Sequence, residues 1–317
     1  MARAIAHPNI ALIKYWGKAD PLINLPAVPS ISLTLSELET STSVTIDPQL
    51  NQDVFILNGK ETINPKVELM MNAVRKIAKK EVFASIKSSN NFPTSAGYAS
   101  SASGMAAIAL ASNQAYELGL DHDGLARLAR LGSGSATRSI DGGLVSWPTG
   151  TDVSSFGRAI LPPEEVPLAV FSVTTTAANK KISSTDAMQI VSSTSPYYPT
   201  WVQNSTDDYF KALELIKKSK WEDLLALAQN NALKMHAVNL AARPEIIYWQ
   251  PESLAIMQQV QKIQTEKQIP VYFSLDAGPN VKLLTLQKWV KEVATEFATW
   301  DLQLSLPGKG AQIIDQN

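Results

Sequence analysis

A stretch rich in proline and glycine lies near the middle of the chain, between Trp147 and Pro167. Because these residues interrupt helices and strands, the stretch is the best candidate for a boundary between two domains. The length of 317 residues also favours two domains of about 150 residues each. We therefore expect one domain over residues 1–166 and a second over residues 167–317.

The first half of the chain combines strand patterns and helix patterns. Residues 30–46 alternate apolar and hydroxyl side chains around a short acidic break, which predicts two paired strands. Residues 53–63 add a strand and an Asn-Gly hairpin turn. Residues 65–80 follow a proline and carry apolar residues three and four apart, so they predict an amphipathic helix. Two further helices are expected over residues 100–118 and 123–131.

The second half of the chain is mostly helical. A buried strand is expected over residues 167–175 and another over residues 270–275. Apolar stripes predict three helices, over residues 207–218, 221–239 and 251–267, and a final helical face is formed by Leu286, Val290, Val293 and Phe297. Since strands and helices occur in both halves without regular βαβ alternation, the predicted fold class is α+β.

Composition excludes several kinds of function. The formal net charge is -1, so no overall positive field would attract nucleic acid or an anionic membrane, and neither is an expected partner. The chain contains no cysteine, which excludes disulfides and thiolate chemistry and fits a cytoplasmic protein. No apolar run reaches the length of a membrane span or a signal sequence. The three histidines are scattered, so no protein metal site is expected.

Residues 91–113 (NFPTSAGYASSASGMAAIALASN) place serines among glycine and alanine at the start of a helix. The amino terminus of a helix presents free backbone N–H groups and attracts anions. The serines could therefore hold a phosphate, or they could simply cap the helix. The stretch matches neither of the two common nucleotide-binding glycine motifs, so both interpretations stay open on these residues alone.

Four segments together resemble the diphosphomevalonate decarboxylases, which belong to the superfamily of galactokinase, homoserine kinase, mevalonate kinase and phosphomevalonate kinase. These segments are NIALIKYWGK (9–18), PTSAGYASSAS (93–103), RLGSGSATRS (130–139) and DAGPNVKLL (276–284). The resemblance extends over nearly the whole chain. The serine loop is shared by the superfamily, whereas the other three segments are specific to the decarboxylases.

The resemblance implies a two-domain small-molecule kinase fold, with a ribosomal protein S5 domain 2-like N-terminal domain for ATP, an α+β C-terminal decarboxylase domain, and the active site in the cleft between them. It also implies ATP-dependent decarboxylation of (R)-5-diphosphomevalonate to isopentenyl diphosphate, with release of ADP, phosphate and CO₂. ATP and its Mg²⁺ are the implied cofactors, and a homodimer is the implied assembly.

By the same resemblance, the catalytic residues are Asp276, Lys18 and Arg138. Asp276 would orient or deprotonate the C3 hydroxyl, and Arg138 would hold the substrate carboxylate with a planar fork. The residues implied in substrate binding are Tyr15, Trp16, Gly17, Lys18, Arg75, Ser133, Gly134, Ser135, Ala136, Thr137, Arg138, Ser184 and Thr185. Those implied in ATP binding are Ser88, Pro93, Gly97, Ser100, Ser101, Ser103, Lys180 and Lys181, of which the two lysines cannot be told apart.

Alternatives remain at this point. Without the family, Asp276 before Gly-Pro would be a turn-capping residue, and Arg75 would lie on a solvated helix face. A decarboxylase of 5-phosphomevalonate is a close functional alternative. A nucleotide-binding protein without turnover is an alternative of a different class.

Overall fold

The computed structural model describes residues 1–92, 100–175 and 182–314. Within these ranges it contains strands and helices in both halves of the chain, as predicted. The strands are β1 (Ala2–Ala6), β2 (Asn9–Ile13), β3 (Lys18–Asp20), β4 (Leu25–Pro26), β5 (Ser30–Thr34), β6 (Thr40–Ile46), β7 (Val54–Leu57), β8 (Lys60–Glu61), β9 (Ala84–Asn90), β10 (Leu144–Trp147), β11 (Arg158–Leu161), β12 (Leu168–Val173), β13 (Val271–Leu275), β14 (Val281–Leu286), β15 (Leu302–Ser305) and β16 (Gln312–Ile313).

The α-helices are α1 (Pro65–Ala78), α2 (Ser100–Ala115), α3 (His122–Gly132), α4 (Ser184–Thr194), α5 (Tyr198–Lys217), α6 (Trp221–Leu240), α7 (Pro251–Glu266) and α8 (Val290–Glu296). A 3₁₀ segment, Gly134–Ser139, follows α3. None of the helices in the described ranges is long and apolar enough to cross a membrane.

Local sequence chemistry fixes several of these boundaries. Asn64 caps α1 by accepting a hydrogen bond from the Lys66 backbone, and a proline occupies the first turn. The predicted Asn-Gly turn between β7 and β8 has positive φ at both Asn58 and Gly59, which is the geometry that a tight hairpin requires.

The strands form three larger sheets. The first has the order β16-β1-β6-β9-β7-β8 and is antiparallel except where β7 pairs with β9. The second has the order β11-β10-β5-β2, and the third has the order β13-β14-β12-β15. The last strand, β16, pairs with β1, so the end of the chain returns to the first sheet.

The pairing predicted within residues 30–46 is wrong. Both strands form, but β5 pairs with β2 and β10, whereas β6 pairs with β1 and β9. Between them the backbone turns at Glu37, whose φ is positive, and Leu35 and Leu38 are buried. Alternation of side chains specifies a strand but not its partner, and here the break sends the two strands into different sheets.

The final helical face is also partly wrong, because Leu286 ends β14 and the helix begins only at Val290. The other predicted helices and strands are present, with ends that differ by a few residues except at α5, which begins at Tyr198 rather than at the predicted residue 207.

The apolar core connects the two halves of the chain. One cluster lies between the first sheet and helices α1 to α3. A second cluster contains Ile10 and Leu33 from the second sheet together with Leu168 and Leu284 from the third. Because the second and third sheets share this cluster, the ends of β2 and β13 lie close together, and the candidate site is built there.

Candidate active site

A buried ion pair joins the two halves of the chain. Lys14 directly follows β2, whose five residues are all buried, and its side chain is only 1% exposed. Asp276 directly follows β13, and its side chain is 35% exposed. The Lys14 Nζ atom donates to Asp276 Oδ1 at 2.7 Å. A buried ammonium requires a carboxylate partner, and Asp276 supplies it while keeping part of its surface accessible.

Three cations act on the Asp276 carboxyl. Burial alone would raise its pKa, but Lys14, then Lys282 and Arg138, outweigh burial and lower the pKa of Asp276 below its usual value. Burial lowers the pKa of Lys282, which lies on β14, to about 8. Asp276 is therefore an ionised, hydrogen-bond-accepting group near neutral pH, aimed from a strand end.

Arg138 lies in the 3₁₀ segment and is fixed by two residues of the second sheet. Its Nη1 atom donates to Ser30 Oγ at 2.5 Å and its Nη2 atom donates to Asn9 Oδ1 at 3.2 Å. The guanidinium lies 5.6 Å from the Trp147 ring centroid. Burial lowers its pKa to about 10, so it stays charged at neutral pH. Its Nε atom is buried and has no hydrogen-bond partner among the described residues, which leaves one donor for an anion.

Tyr15 lies beside Arg138 and also carries an unpaired buried polar atom. Its Oη atom has no hydrogen-bond partner in the described ranges, and burial raises its pKa. The ring packs on Trp147 with centroids 4.7 Å apart. A Cβ atom at Gly134 would lie 2.6 Å from the Tyr15 hydroxyl, so a side chain at Gly134 would displace it.

Trp16 and Gly17 shape the loop after Lys14. Trp16 is buried and its indole Nε1 donates to Asn239 Oδ1 at 2.8 Å, so its contacts are those of a packing residue. Gly17 has a φ of 117°, and a side chain there would overlap the Tyr198 hydroxyl. Only glycine fits this position.

Lys18, predicted as a catalytic cation, is half-buried, and the charged groups that act on it are Lys66 and Asp186. Burial and nearby Lys66 lower its pKa, while Asp186 on α4 opposes that shift. The position beside the Asp276 carboxylate is occupied by Lys14, which is not among the predicted site residues. Its signal in the sequence is a lysine directly after an apolar strand, where a charge cannot reach water and must find a partner.

Serines from two distant segments meet at the amino terminus of α2. Ser101 and Ser133 hydroxyls are 3.4 Å apart, and Ser133 and Ser135 hydroxyls are also 3.4 Å apart. Ser100 begins the helix. Three hydroxyls beside a helix amino terminus form a donor-rich surface that suits a phosphate.

Two other predicted ATP residues are engaged within the protein. Ser103 is fully buried and its hydroxyl lies 2.7 Å from that of Thr40. Ser88 is buried on β9 with its hydroxyl 2.9 Å from that of Thr42. Both contacts tie neighbouring elements to β6, and they favour structural roles for these two serines.

Arg75 does not join the group around Asp276. Its Nη1 atom pairs with Asp53 at 2.6 Å, its Nη2 atom donates to Asn72 at 2.5 Å, and its guanidinium lies 4.7 Å from the Phe83 ring centroid. Both charged side chains of the pair are buried. These contacts favour a structural role over the predicted contact with a diphosphate.

The remaining predicted residues are placed as follows. Ala136 and Thr137 are buried, and the Thr137 hydroxyl accepts a hydrogen bond from the Gly157 backbone at 2.8 Å. Ser184 and Thr185 form the start of α4 and are half-buried. Four predicted residues lie outside the described ranges, namely Pro93, Gly97, Lys180 and Lys181. In the part of the chain that is described, no group of three His, Cys, Asp or Glu side chains could hold a metal ion.

Comparison with known proteins gives a consistent family. Residues 6–157 match the model of the diphosphomevalonate decarboxylase-like N-terminal domain, and residues 170–302 match that of the mevalonate 5-diphosphate decarboxylase C-terminal domain. A solved structure described as MDDEF in complex with MVAPP, AMPPCP and magnesium superposes with a TM-score of 0.94. It is 41% identical in sequence, and 99% of each chain is covered.

Two curated relatives are also similar over most of their lengths. The diphosphomevalonate decarboxylase of Candida albicans is 34% identical over 299 residues, covering 88% of this chain and 82% of the relative. The phosphomevalonate decarboxylase of Haloferax volcanii is 28% identical over 322 residues, covering 100% of this chain and 98% of the relative. With both halves matched by the family models and with the two-domain α+β fold in common, the chain belongs to the diphosphomevalonate decarboxylase family.

Proposed function

We propose that this chain is a carboxy-lyase that decarboxylates (R)-5-diphosphomevalonate with ATP. The products are isopentenyl diphosphate, ADP, phosphate and CO₂, and the reaction belongs to the mevalonate pathway of isoprenoid synthesis. The observation that carries the proposal is the Asp276 carboxylate, held ionised by Lys14 and placed beside Arg138. The same three groups provide a proton acceptor and a carboxylate-binding cation, which are the two groups that this reaction requires.

Asp276 acts on the C3 hydroxyl. As an ionised carboxylate it accepts the hydroxyl hydrogen bond and can take the proton as the oxygen attacks the γ-phosphate of ATP. Lys14 fixes the carboxylate through Oδ1, which leaves Oδ2 for the substrate. The exposed part of the Asp276 side chain gives the hydroxyl access to it.

Arg138 binds the carboxylate of the substrate. The Asn9 and Ser30 contacts fix the plane of the guanidinium, and the unpaired Nε atom supplies a donor for the anion. When the phosphorylated C3 oxygen departs as phosphate, the electron pair of the bond to the carboxylate forms the alkene and CO₂ leaves. The tertiary hydroxyl must be phosphorylated first because hydroxide is a poor leaving group.

The serine cluster at the start of α2 fits the phosphates of ATP. Its hydroxyls converge from α2 and from the segment after α3, and the first turn of α2 carries no acidic residue that would repel an anion. ATP and Mg²⁺ are the proposed cofactors, and the Mg²⁺ ion, which neutralises phosphate charge, arrives with ATP. Ser100 and Ser101 would hold the phosphates in this arrangement.

One assay tests the proposal and its alternatives. The protein is mixed with Mg²⁺-ATP and, in separate reactions, with mevalonate, its 5-phosphate or its 5-diphosphate, and ADP and CO₂ are followed together. We expect equal amounts of ADP and CO₂ from the 5-diphosphate. ADP without CO₂ would indicate a kinase, and binding of ATP without either product would indicate a nucleotide-binding protein.

A decarboxylase of 5-phosphomevalonate is the second candidate, and the contacts of Arg75 favour it. With its guanidinium engaged by Asp53, Arg75 is not available as a cation for a second phosphate. The Haloferax volcanii relative is named for the monophosphate. In the assay above, a higher kcat/KM with the 5-phosphate than with the 5-diphosphate would establish this activity instead.

The domain boundary, the assembly and the cellular location of the enzyme are also proposals. A division at residues 166/167 is supported by β12, which begins the third sheet at Leu168, although β16 lies in the first sheet. We also propose a homodimer, which the family resemblance implies, and a cytoplasmic location, which the absence of cysteine fits. Light scattering of the purified protein would give the number of chains in the assembly.

A further inference from the structure

Helix α6 contacts both sides of the Lys14 and Asp276 ion pair. Asn231, on this helix, accepts a hydrogen bond from the Lys14 backbone N–H to its Oδ1 atom at 2.8 Å. This contact connects a helix of the second half of the chain with the residue that ends β2. Because Asn231 is fully buried, water cannot replace the bond if the side chain is removed.

Asn231 is itself fixed by a buried charge. Its Nδ2 atom donates to Asp208 Oδ2 at 2.9 Å, and Asp208 lies on α5. Lys234, one turn further along α6, donates to both oxygens of Asp208 at 3.0 and 2.9 Å. The amide of Asn231 can therefore take only one orientation, with its oxygen towards Lys14.

His236 makes the corresponding contact on the other side of the pair. It is buried on α6 with its ring beside the backbone of Leu275, the residue before Asp276, and its Nε2 atom has no hydrogen-bond partner among the described residues. Its ring is held against Trp249, with centroids 5.2 Å apart, and against Tyr248, at 6.2 Å. One helix thus hydrogen-bonds the backbone at Lys14 and packs a buried ring beside the backbone before Asp276, on the two sides of a 2.7 Å ion pair whose members are 262 residues apart.

We propose that Asn231 and His236 are positioning residues, which set the distance between the Lys14 ammonium and the Asp276 carboxylate from the rigid face of α6. Neither residue touches the reacting atoms in this proposal. The expected effects on kcat and on the pH profile rest on the proposed function. The expected effect on the distance between Lys14 and Asp276 does not depend on which substrate the enzyme uses.

The expected consequence follows from the charges that face Asp276. These are Lys14 from the end of β2, Lys282 from β14, Arg138 from the 3₁₀ segment, and His236 from α6, whose pKa burial lowers to about 3 so that the ring is neutral. If the Lys14 backbone shifts, the ammonium retreats from the carboxylate. Burial then raises the pKa of Asp276, and the acid limb of the pH profile moves to higher pH.

Two variants and one matched control test the proposal. Asn231→Leu removes the bond to Lys14 with little change in volume, and His236→Phe removes the ring nitrogens beside Leu275 while keeping a ring. The control is Gln229→Met, because Gln229 also lies on α6 and its Oε1 atom also accepts a backbone N–H, that of Phe273 in β13, at 3.0 Å. The control removes the same kind of contact at a point away from the ion pair.

We expect each test variant to lose at least about tenfold in kcat at pH 7 while KM for ATP stays within about twofold, since a misplacement near 1 Å can cost 10²-fold. The acid limb of kcat/KM should move upwards by at least about half a pH unit. The Gln229→Met profile should match that of the parent protein. Crystal structures of the test variants should show a longer distance between Lys14 Nζ and Asp276 Oδ1 than in the parent.

The proposal is overturned if both test variants keep the ion-pair distance, or if they lose activity with no change in the acid limb. It is equally overturned if the control shifts the limb as much as they do. Should the parent protein release no CO₂ from any mevalonate phosphate, the proposed function fails, but the crystallographic distances still decide whether Asn231 and His236 position the pair. If one variant does not fold, the other gives the same two measurements.

Discussion

Replacing Lys14 by methionine tests the electrostatic core of the site. Methionine keeps the length and apolar stem of lysine and removes only the charge that contacts Asp276 at 2.7 Å. A hydrogen bond to a charged group contributes about 1.5–3 kcal/mol. Because the Asp276 side chain is 35% exposed, solvent screens part of this, and we take the lower half of the range, about 1.5–2 kcal/mol.

That free energy sets the size of the expected shift in the pKa of Asp276. It corresponds to an increase of about 1–1.5 units in the pKa of Asp276, since one unit equals about 1.36 kcal/mol. The sign is upwards because Lys14 favours the ionised carboxylate in the parent protein. Lys282 and Arg138 remain in the variant, so the carboxylate still ionises above the shifted value. The loss of activity should therefore be greatest at acidic pH and smaller as the pH rises.

The assay is CO₂ release over a range of pH values, analysed as kcat/KM. The matched control is Lys218→Met, which removes the exposed partner of Glu214 on α5 and should leave the profile unchanged. An acid limb that stays within about 0.3 pH units of the parent would refute the assignment of Lys14 as the cation of Asp276, because the expected shift is about three times larger.

Three further predictions concern stability and ATP binding. Arg75→Met should destabilise the protein by about 3–5 kcal/mol in urea unfolding, because it leaves the Asp53 carboxylate buried without its partner. When the pH falls from 7 to 5, the free energy of unfolding of His236→Phe should decrease by about 2 kcal/mol less than that of the parent protein. The folded-state pKa of His236 is about 3, so below pH 6.5 only the unfolded chain takes up the proton and stability falls. Replacing both Ser100 and Ser101 by alanine should weaken ATP binding measured by calorimetry, because two phosphate donors are lost.

Each of these three predictions would be contradicted by a specific result. If Arg75→Met unfolds at the same urea concentration as the parent protein, the ion pair of Arg75 and Asp53 does not stabilise the fold. An unchanged difference in stability between the two pH values would show that the His236 ring is not held neutral. Unaltered ATP affinity in the double serine variant would reduce the serines to a helix cap, and Ser112→Ala, at the buried far end of α2, is the control for general effects on that helix.

The pattern of apolar side chains was sufficient to predict most of the described α-helices, but it left α4 and strands such as β1, β10 and β14 unpredicted. The stripe over residues 65–80 and the Asn-Gly turn became α1 and the β7–β8 hairpin because capping and turn geometry depend on neighbouring residues only. The pairing of β5 with β6 failed for the opposite reason. Strand partners are chosen by contacts distant in sequence, and the two strands entered different sheets.

The candidate site was likewise only partly predictable from the sequence. The family resemblance pointed to Asp276 and Arg138, and the structure brings Asp276, at the end of β13, within electrostatic range of Arg138 in the 3₁₀ segment. It did not point to Lys14, because a lysine after an apolar strand signals burial but does not identify the carboxylate with which it pairs. The family resemblance implied that Arg75 contacts a diphosphate, whereas its partner in the structure, Asp53, lies on a separate segment that no local pattern links to it.

The sequence by itself determined the α+β class, most of the helices, several strands, and the residue types that the chemistry requires. These depend on periodicity, on caps and on short motifs, all of which act between near neighbours. Only the tertiary structure decided which cation reaches Asp276, which arginine is paired with a buried carboxylate, and which helix contacts the ion pair. Those outcomes depend on burial and on contacts across 262 residues, where the cost of an unpaired charge selects the partner that packing brings within reach.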